Sequence, residues 1–425
     1  MSLYEKVDAA VDAGAAQVIA WRRDIHAHPE LSNRERRTAA VVAEHLRSIG
    51  LDAVRTGIGG HGVVGVLRGG AGGDRVVALR ADMDALPVRE ATGLDFASTV
   101  VDRDYPGGPF PVAHACGHDA HTAMLMGTAS ALAAEREHLP GTVLFVFQPA
   151  EEGPPLGEDG GAALMEREAP LDPRPGMVFG IHVTALPRGV VGYRVGNLLA
   201  TSVHVRITVT GRQTHGSSPW RGIDPMPAAA DIIMTVGQLY RQVPAYHAVT
   251  VTIGHVVDEG RFNIIPERVT LYGTVRCTIE SDMDDVLAKL HRTATHLAQA
   301  HGCSADIEFA QRVPAVHNAP SWMDAVRPSL AGVVGPDRLY EMPPTLGYDD
   351  VSIFLNAYGG VYVFLGVQDC EIRDGEPYPL PGGRGVWTNH SPRFYLDEGE
   401  LATGVRLHTR VALDYLTGVI SSADG

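Results

Sequence analysis

At 425 residues, 45% apolar and 20% charged, the chain is larger than one hydrophobic core and balanced like an ordinary globular protein, so two domains are expected. A formal charge of −15 argues against nucleic acid or an anionic membrane as a partner. The N-terminus lacks a basic stretch leading into an apolar one, and no run approaches the ~18 apolar residues of a membrane span. Four scattered cysteines with no CxxC pair make a reducing cytoplasm the simplest compartment.

In chain order, Leu3 to Leu51 reads as helical, broken at His28-Pro29-Glu30. Ser32 followed by Glu35 has the form of a capping box opening a helix from Arg34 to Ile49, which Gly50 would close. Short apolar runs follow at Gly62–Leu67, Arg75–Ala81, Gly141–Phe147 and Met177–Ile181, with a helical stretch at Ala120–Arg136. The runs are continuous rather than alternating, as in strands buried on both faces, so the first part reads as an α/β sheet covered by helices. The pattern then changes. A strand His204–Val209, a helix from Pro225 to Arg241, strands Ala248–Val257 and Arg268–Ile279, a helix Met283–His301 and a strand Ala305–Phe309 give the order β-α-β-β-α-β. That order is ferredoxin-like, which predicts an inserted α+β domain at 202–313 between two parts, 1–201 and 314–425, of one catalytic domain with a mixed sheet. The second part resumes with Val361–Val367 and ends in a helix Glu398–Thr417.

Groups able to bind metal or protons gather where these strands end. VVALRADMD ends in Asp82 and Asp84, TVLFVFQPAEEG in Glu151 and Glu152, and MVFGIHV carries His182. A run His114-Ala-Cys116-Gly-His118-Asp119-Ala-His121 opens the helix from Ala120. Ligands of open α/β sheets bind beyond the carboxyl ends of the strands, and carboxylates, imidazoles and a thiol collected there suit a metal site. Neighbouring side chains of extended backbone point to opposite sides, so Glu151 and Glu152 can share a site only at an irregular turn. Pro149 and Gly153-Pro154-Pro155 supply one. One carboxylate can then ligate while the other takes a proton. Cys116 suits a bridge between two cations, which lower a thiol's pKa. The rival reading, Cys116 as nucleophile with a histidine base, leaves Asp82, Asp84, Glu151 and Glu152 without a role.

These blocks, RRDIHAHPELSNRE, ALRADMDALPV, HACGHDAHT, FQPAEEG, GIHV, THGSSPWRGIDP, FNIIPERVTLYGTVR and HSPRF, occur in order along nearly the whole chain. In them the chain resembles the M20 metallopeptidase family, within it the N-acyl-amino-acid amidohydrolases that include hippurate and auxin-conjugate hydrolases. The resemblance implies that Cys116, His118, Glu152, His182 and His390 hold two divalent ions, with Cys116 bridging. It implies Glu151 as general base and Asp84 as the group orienting a ligand. It makes the inserted domain a lid and a homodimer surface, with His215 polarising the scissile carbonyl and Asn263 and Arg276 near the substrate, Arg276 suited to a carboxylate. Only the block around His390 selects that residue among 19 histidines. Gly347-Tyr348-Asp349-Asp350-Val351, the long Asp369–Trp387 segment and Val101–Pro111 depart from the family pattern, which puts the acyl group and the amino acid in doubt.

The activity expected is amide hydrolysis of a small N-acyl amino acid or similar conjugate. Water between two ions about 3.5–4 Å apart is deprotonated by Glu151, and the oxyanion is stabilised by a metal and by His215. Zinc suits the thiolate and imidazoles, manganese the carboxylates, and relatives also use cobalt or nickel. The alternatives are a dipeptidase or carboxypeptidase on the same scaffold, and a metal-dependent binding protein without catalysis.

Overall fold

The computed structural model describes residues 1–155 and 157–421. It divides into two compact units, one formed by Met1–Leu198, His317–Pro343 and Asp350–Gly425, the other by Leu199–Val316 with Pro344–Asp349. The last segment falls in the part of the chain that the sequence pattern assigns to the first unit. Arg276 accounts for its place: the guanidinium lies 5.2 Å from the Tyr348 ring centroid and donates to the Leu346 carbonyl at 3.3 Å.

In the first unit the chain runs through α1 (Leu3–Ala27), α2 (Arg36–Ser48), β1 (Ala53–Ile58), β2 (Gly62–Arg68), β3 (Val76–Asp82), α3 (His118–Ala134), β4 (Thr142–Gln148), α4 (Gly161–Glu168), β5 (Met177–Pro187) and β6 (Val191–Tyr193). Its eight-stranded sheet has the order β1-β2-β4-β3-β5, followed by Gly360–Gln368, β6 and Leu339–Glu341. The four central strands are parallel, and the apolar runs at their middles are buried throughout. Phe179 packs toward His408 of the C-terminal helix Glu400–Leu416, whereas a Cβ on the next residue, Gly180, would meet Tyr362 and Val351. Successive residues of β5 therefore face helices on opposite sides, as alternation along a strand requires. Helix α1 packs on α3 and on the C-terminal helix.

The second unit contains β7 (Thr201–Thr210), α5 (Pro225–Val236), β8 (Val249–Asp258), β9 (Arg268–Cys277), α6 (Asp282–Ala300) and β10 (Ser304–Val313). Its four-stranded sheet, order β8-β9-β7-β10, is antiparallel. Along β7, Val203, Val205, Ile207 and Val209 are buried and the residues between them are not, so one face packs on α5 and α6. This is the ferredoxin-like arrangement that the element order predicts.

Two local expectations are corrected. The capping box of Ser32 and Glu35 does not form: α2 begins at Arg36, Glu35 makes no capping bond, and the Ser32 hydroxyl donates to Asp84 at 2.6 Å. Both side chains are withdrawn into the interior, where polar groups need partners more than a helix end exposed to water does. Helix α5 stops at Val236 before Gly237, and Leu239–Gln242 is a separate 3-10 turn. The helix Pro320–Val334 escapes a pattern reading because Pro328 lies inside it. No helix among the described residues is long and apolar enough to cross a membrane.

A buried charge sits under the carboxyl ends of the central strands. Arg80, 1% exposed, donates to Gln148 at 2.8 Å and Asp82 at 2.6 Å, and reaches Asp350 at 3.3 Å. Removing one partner of such a buried pair typically costs about 3–5 kcal/mol, because the opposite charge is left unpaired. Arg80→Met is expected to lower the unfolding free energy of the first unit, read from urea denaturation, by an amount in that range; an unchanged value would show that the network contributes nothing.

Candidate metal centre

The centre lies wholly in the first unit. Strand β3 runs out into Asp82 and Asp84, β4 into Glu151 and Glu152, β5 carries His182, and α3 opens with His118. Between Cys116 and His118 stands Gly117 at φ 91°, where a Cβ would come within 2.3 Å of Val183 Cγ2. Only glycine combines that backbone with that approach, and the bend turns the sulfur and the imidazole toward β5. His390 arrives from a loop far along the chain. Its own backbone is left-handed at φ 70°, and its N–H donates to the Ala115 carbonyl at 2.8 Å. Asn389 holds the loop down by donating to the carbonyls of Cys116 and Val183, each at 3.0 Å.

The five proposed ligands form two overlapping groups. Cys116, His118 and His182 present donor atoms all within 4.8 Å of one another, and so do Cys116, Glu152 and His390. Cys116 belongs to both. Its sulfur is 3.4 Å from His182 Nε2, and Glu152 Oε2 is 3.2 Å from His390 Nε2. Glu151 joins a third group with His118 and Glu152, its Oε2 3.9 Å from His118 Nε2.

The imidazoles are oriented from behind. His118 Nδ1 donates to Asp84 at 3.1 Å and His182 Nδ1 to the Val183 carbonyl at 2.8 Å, which leaves both Nε2 lone pairs facing the centre. Two atoms here, His118 Nε2 and Glu152 Oε1, are buried with no hydrogen-bond partner and lie 3.7 Å apart. Burial, then the charges of Glu152 and Glu151, push the Cys116 thiol well above its ordinary range. Burial opposes a proton on His118, but Asp82, Asp84 and Glu152 outweigh it and push the group up to about 10. For Glu152 burial is likewise outweighed, chiefly by His390, and its carboxyl falls to about 2. Carboxylates help Cys116 and His118 hold their protons, and divalent cations would neutralise that negative potential as they displaced them. Unpartnered buried donors, a sulfur, imidazoles and carboxylates together fit two such ions.

The other histidines of the HACGHDAH run do different work. His121 donates from Nδ1 to Asp82 at 2.6 Å, and its Nε2 accepts the Val183 N–H at 2.8 Å, so neither nitrogen is left for a cation. Asp82, His118 and His121 also cluster, yet Asp82 is already paired with Arg80. We read that cluster as scaffolding for His182. His114 is buried, and burial lowers its pKa to about 3; it is in no candidate ligand group among the described residues. The roles of Asn389 and His121 were not singled out from sequence. A side-chain amide bonding two carbonyls leaves no periodic trace.

His215, Asn263 and Arg276 lie in the second unit. His215 is in a two-residue strand, Thr214–His215, paired with Ile264–Ile265, and its Nδ1 accepts the Ser217 N–H at 3.0 Å. The Asn263 carbonyl accepts the Gly216 N–H at 2.9 Å, so the segment after His215 lies beside Asn263. Arg276 is on β9, held as described above.

Comparison with known proteins shows the family of the chain. The sequence profile of peptidase family M20/M25/M40 matches residues 78–414. Thermostable carboxypeptidase 1 of Saccharolobus solfataricus is 35% identical over 98% of this chain and 99% of its own length. IAA-amino acid hydrolase ILR1-like 2 of Arabidopsis thaliana is 31% identical over 95% of this chain and 87% of its own. Among solved structures, the Bacillus subtilis YXEP protein, described as a dinuclear metal binding peptidase from the M20 family, aligns with a TM-score of 0.72. That alignment has 28% identity and covers 96% of this chain and 99% of that one.

Proposed function

The chain belongs to peptidase family M20/M25/M40, and from that premise we propose that it hydrolyses the amide bond of N-acyl amino acids or similar amide conjugates. The observation that carries the reading is Cys116 standing in both donor groups while Glu151, a carboxylate outside the five ligands, lies beside them. In the proposal, Cys116, His118 and His182 hold one divalent ion and Cys116, Glu152 and His390 the other. When bound, such ions polarise an amide carbonyl and make water more acidic. Glu151 takes the proton of the attacking water and hands it to the departing amine nitrogen. Asp84 keeps the His118 Nε2 lone pair turned inward, and Asn389 keeps the His390 loop in register. His215 is assigned the amide oxygen, and Asn263 and Arg276 the substrate's polar end. Thiolate and imidazole favour zinc, with manganese second; cobalt and nickel are outcomes a metal analysis would also register.

A second reading, release of a C-terminal amino acid from short peptides, is favoured by the carboxypeptidase relative that matches along almost the whole chain. One experiment separates the two and tests both. Metal-replete protein is offered N-acetyl and N-benzoyl amino acids beside dipeptides and short peptides, before and after chelation. Preference for the acyl amino acids, loss of activity on chelation and recovery with added zinc or manganese is the expected result. Preference for peptides moves the assignment to the second reading. Activity indifferent to chelators but abolished by thiol alkylation would instead restore Cys116 as a nucleophile.

A further inference from the structure

Adjacent carboxylates on extended backbone diverge, yet Glu151 and Glu152 both reach His118 Nε2, at 3.9 and 3.7 Å. The residue that permits this is Ala150, whose φ of 51° is left-handed, a conformation that costs a residue bearing a Cβ. Three contacts hold that turn. The Ala150 N–H donates to Glu35 Oε1 at 2.8 Å, the Ala150 carbonyl accepts the Gly161 N–H at 3.0 Å, and the Glu152 N–H donates to Asp84 Oδ2 at 3.0 Å. The Asp84 oxygen is itself bonded by Ser32 at 2.6 Å. Two residues of the segment joining α1 to α2 thus grip the turn, and Glu35, 0% exposed, grips the strained peptide directly.

We propose that Glu35 is a positioning residue for hydrolysis: its carboxyl oxygen keeps the Ala150 peptide left-handed, so that the base and a metal ligand face the same centre. The inference rests on the roles proposed for Glu151 and Glu152. One oxygen does this work, since Oε1 accepts from both Ala150 and Asn33, the latter at 3.0 Å, while Oε2 is buried with no partner. Burial, then the charge of Asp84, raise the Glu35 pKa to about 8, so at neutral pH the group is chiefly a neutral acid. What the turn needs is therefore an acceptor, and glutamine offers the same oxygen on a neutral side chain of the same length.

The test uses the full-length, metal-replete enzyme and reads kcat, KM and bound metal for Glu35→Gln, Glu35→Leu and Glu35→Leu combined with Ala150→Gly. Glu35→Gln is expected to keep kcat within about twofold. Glu35→Leu is expected to lose about 10–100-fold in kcat with little change in KM, the scale of a misplacement near 1 Å. Occupancy of the ion held by Glu152 should fall with it. Adding Ala150→Gly should restore most of both losses, because glycine takes a positive φ without the Cβ penalty. If Glu35→Leu does not fold, Glu35→Asp, too short to reach Ala150, must show the loss. The proposal is overturned if the acceptor-less variant keeps wild-type kcat and metal, if glutamine is as damaging as leucine, or if glycine at 150 restores nothing. Should wild-type enzyme hydrolyse no amide offered, the functional reading fails, and metal occupancy in these variants still decides the role of Glu35.

Discussion

Glu151→Gln is expected to leave two ions bound and KM nearly unchanged while kcat falls by about 10²–10⁴, the range contributed by a positioned general base. The substitution replaces one oxygen by an amide nitrogen at constant shape, so the buried side chain, 6% exposed, keeps its space. It removes none of the five proposed ligands, and the two donor groups that share Cys116 are complete without Glu151. The amide cannot accept a proton near neutral pH, which isolates that one function. Elemental analysis and steady-state kinetics on the same preparation check both halves. Full activity would refute the assignment of the base; loss of metal along with activity would mean that Glu151 is itself a ligand.

Much of this centre was legible in sequence because it is local. His114 to His121 packs its chemistry into one stretch, and carboxylates following apolar runs mark the carboxyl ends of strands, where a parallel sheet collects its ligands. Continuous apolar runs announced the parallel strands for a physical reason: helices on both faces leave no polar alternation. What stayed hidden is contact between distant segments. His390 was selected only by the block around it, since nothing in the spacing of residues 182 and 390 brings them together. Ser32 and Glu35 misled for the same reason. Three residues apart, they imitate a helix cap, whereas their partners, Asp84 and Ala150, lie far along the chain. The flanking prolines and Gly153 announce an irregular turn at the Glu-Glu pair, and Gly153 is left-handed at φ 84°; what sequence does not show is the second left-handed residue, Ala150, held by a buried acid. His121 sits in the most informative motif of the chain, yet a backbone N–H occupies its second nitrogen, and main-chain donors are invisible in a sequence.

Cys116→Ala is expected to cost both ions, whereas His390→Ala should cost only one. The asymmetry follows from the grouping. His118 and His182 complete one set and Glu152 and His390 the other, but the sulfur stands in each, so its loss leaves two donors on either side. Serine should not substitute well, because its hydroxyl ionises far less readily than a thiol and gives a poorer anionic bridge. The scale can be set against Asp84→Asn, which keeps every ligand and alters the group behind His118 that also accepts the Glu152 N–H. Changes at such outer partners typically cost about 10–100-fold in metal affinity, so removal of the shared sulfur should cost more than that for each ion. Metal content after gel filtration in metal-free buffer, compared across Cys116→Ala, His390→Ala and Asp84→Asn, reads the order directly. If Cys116→Ala retained as much metal as His390→Ala, the sulfur would serve one ion at most and the bridging geometry would have to be abandoned. If His390→Ala instead emptied both positions, the two ions would be held cooperatively through Glu152, whose oxygens lie near His118 on one side and His390 on the other.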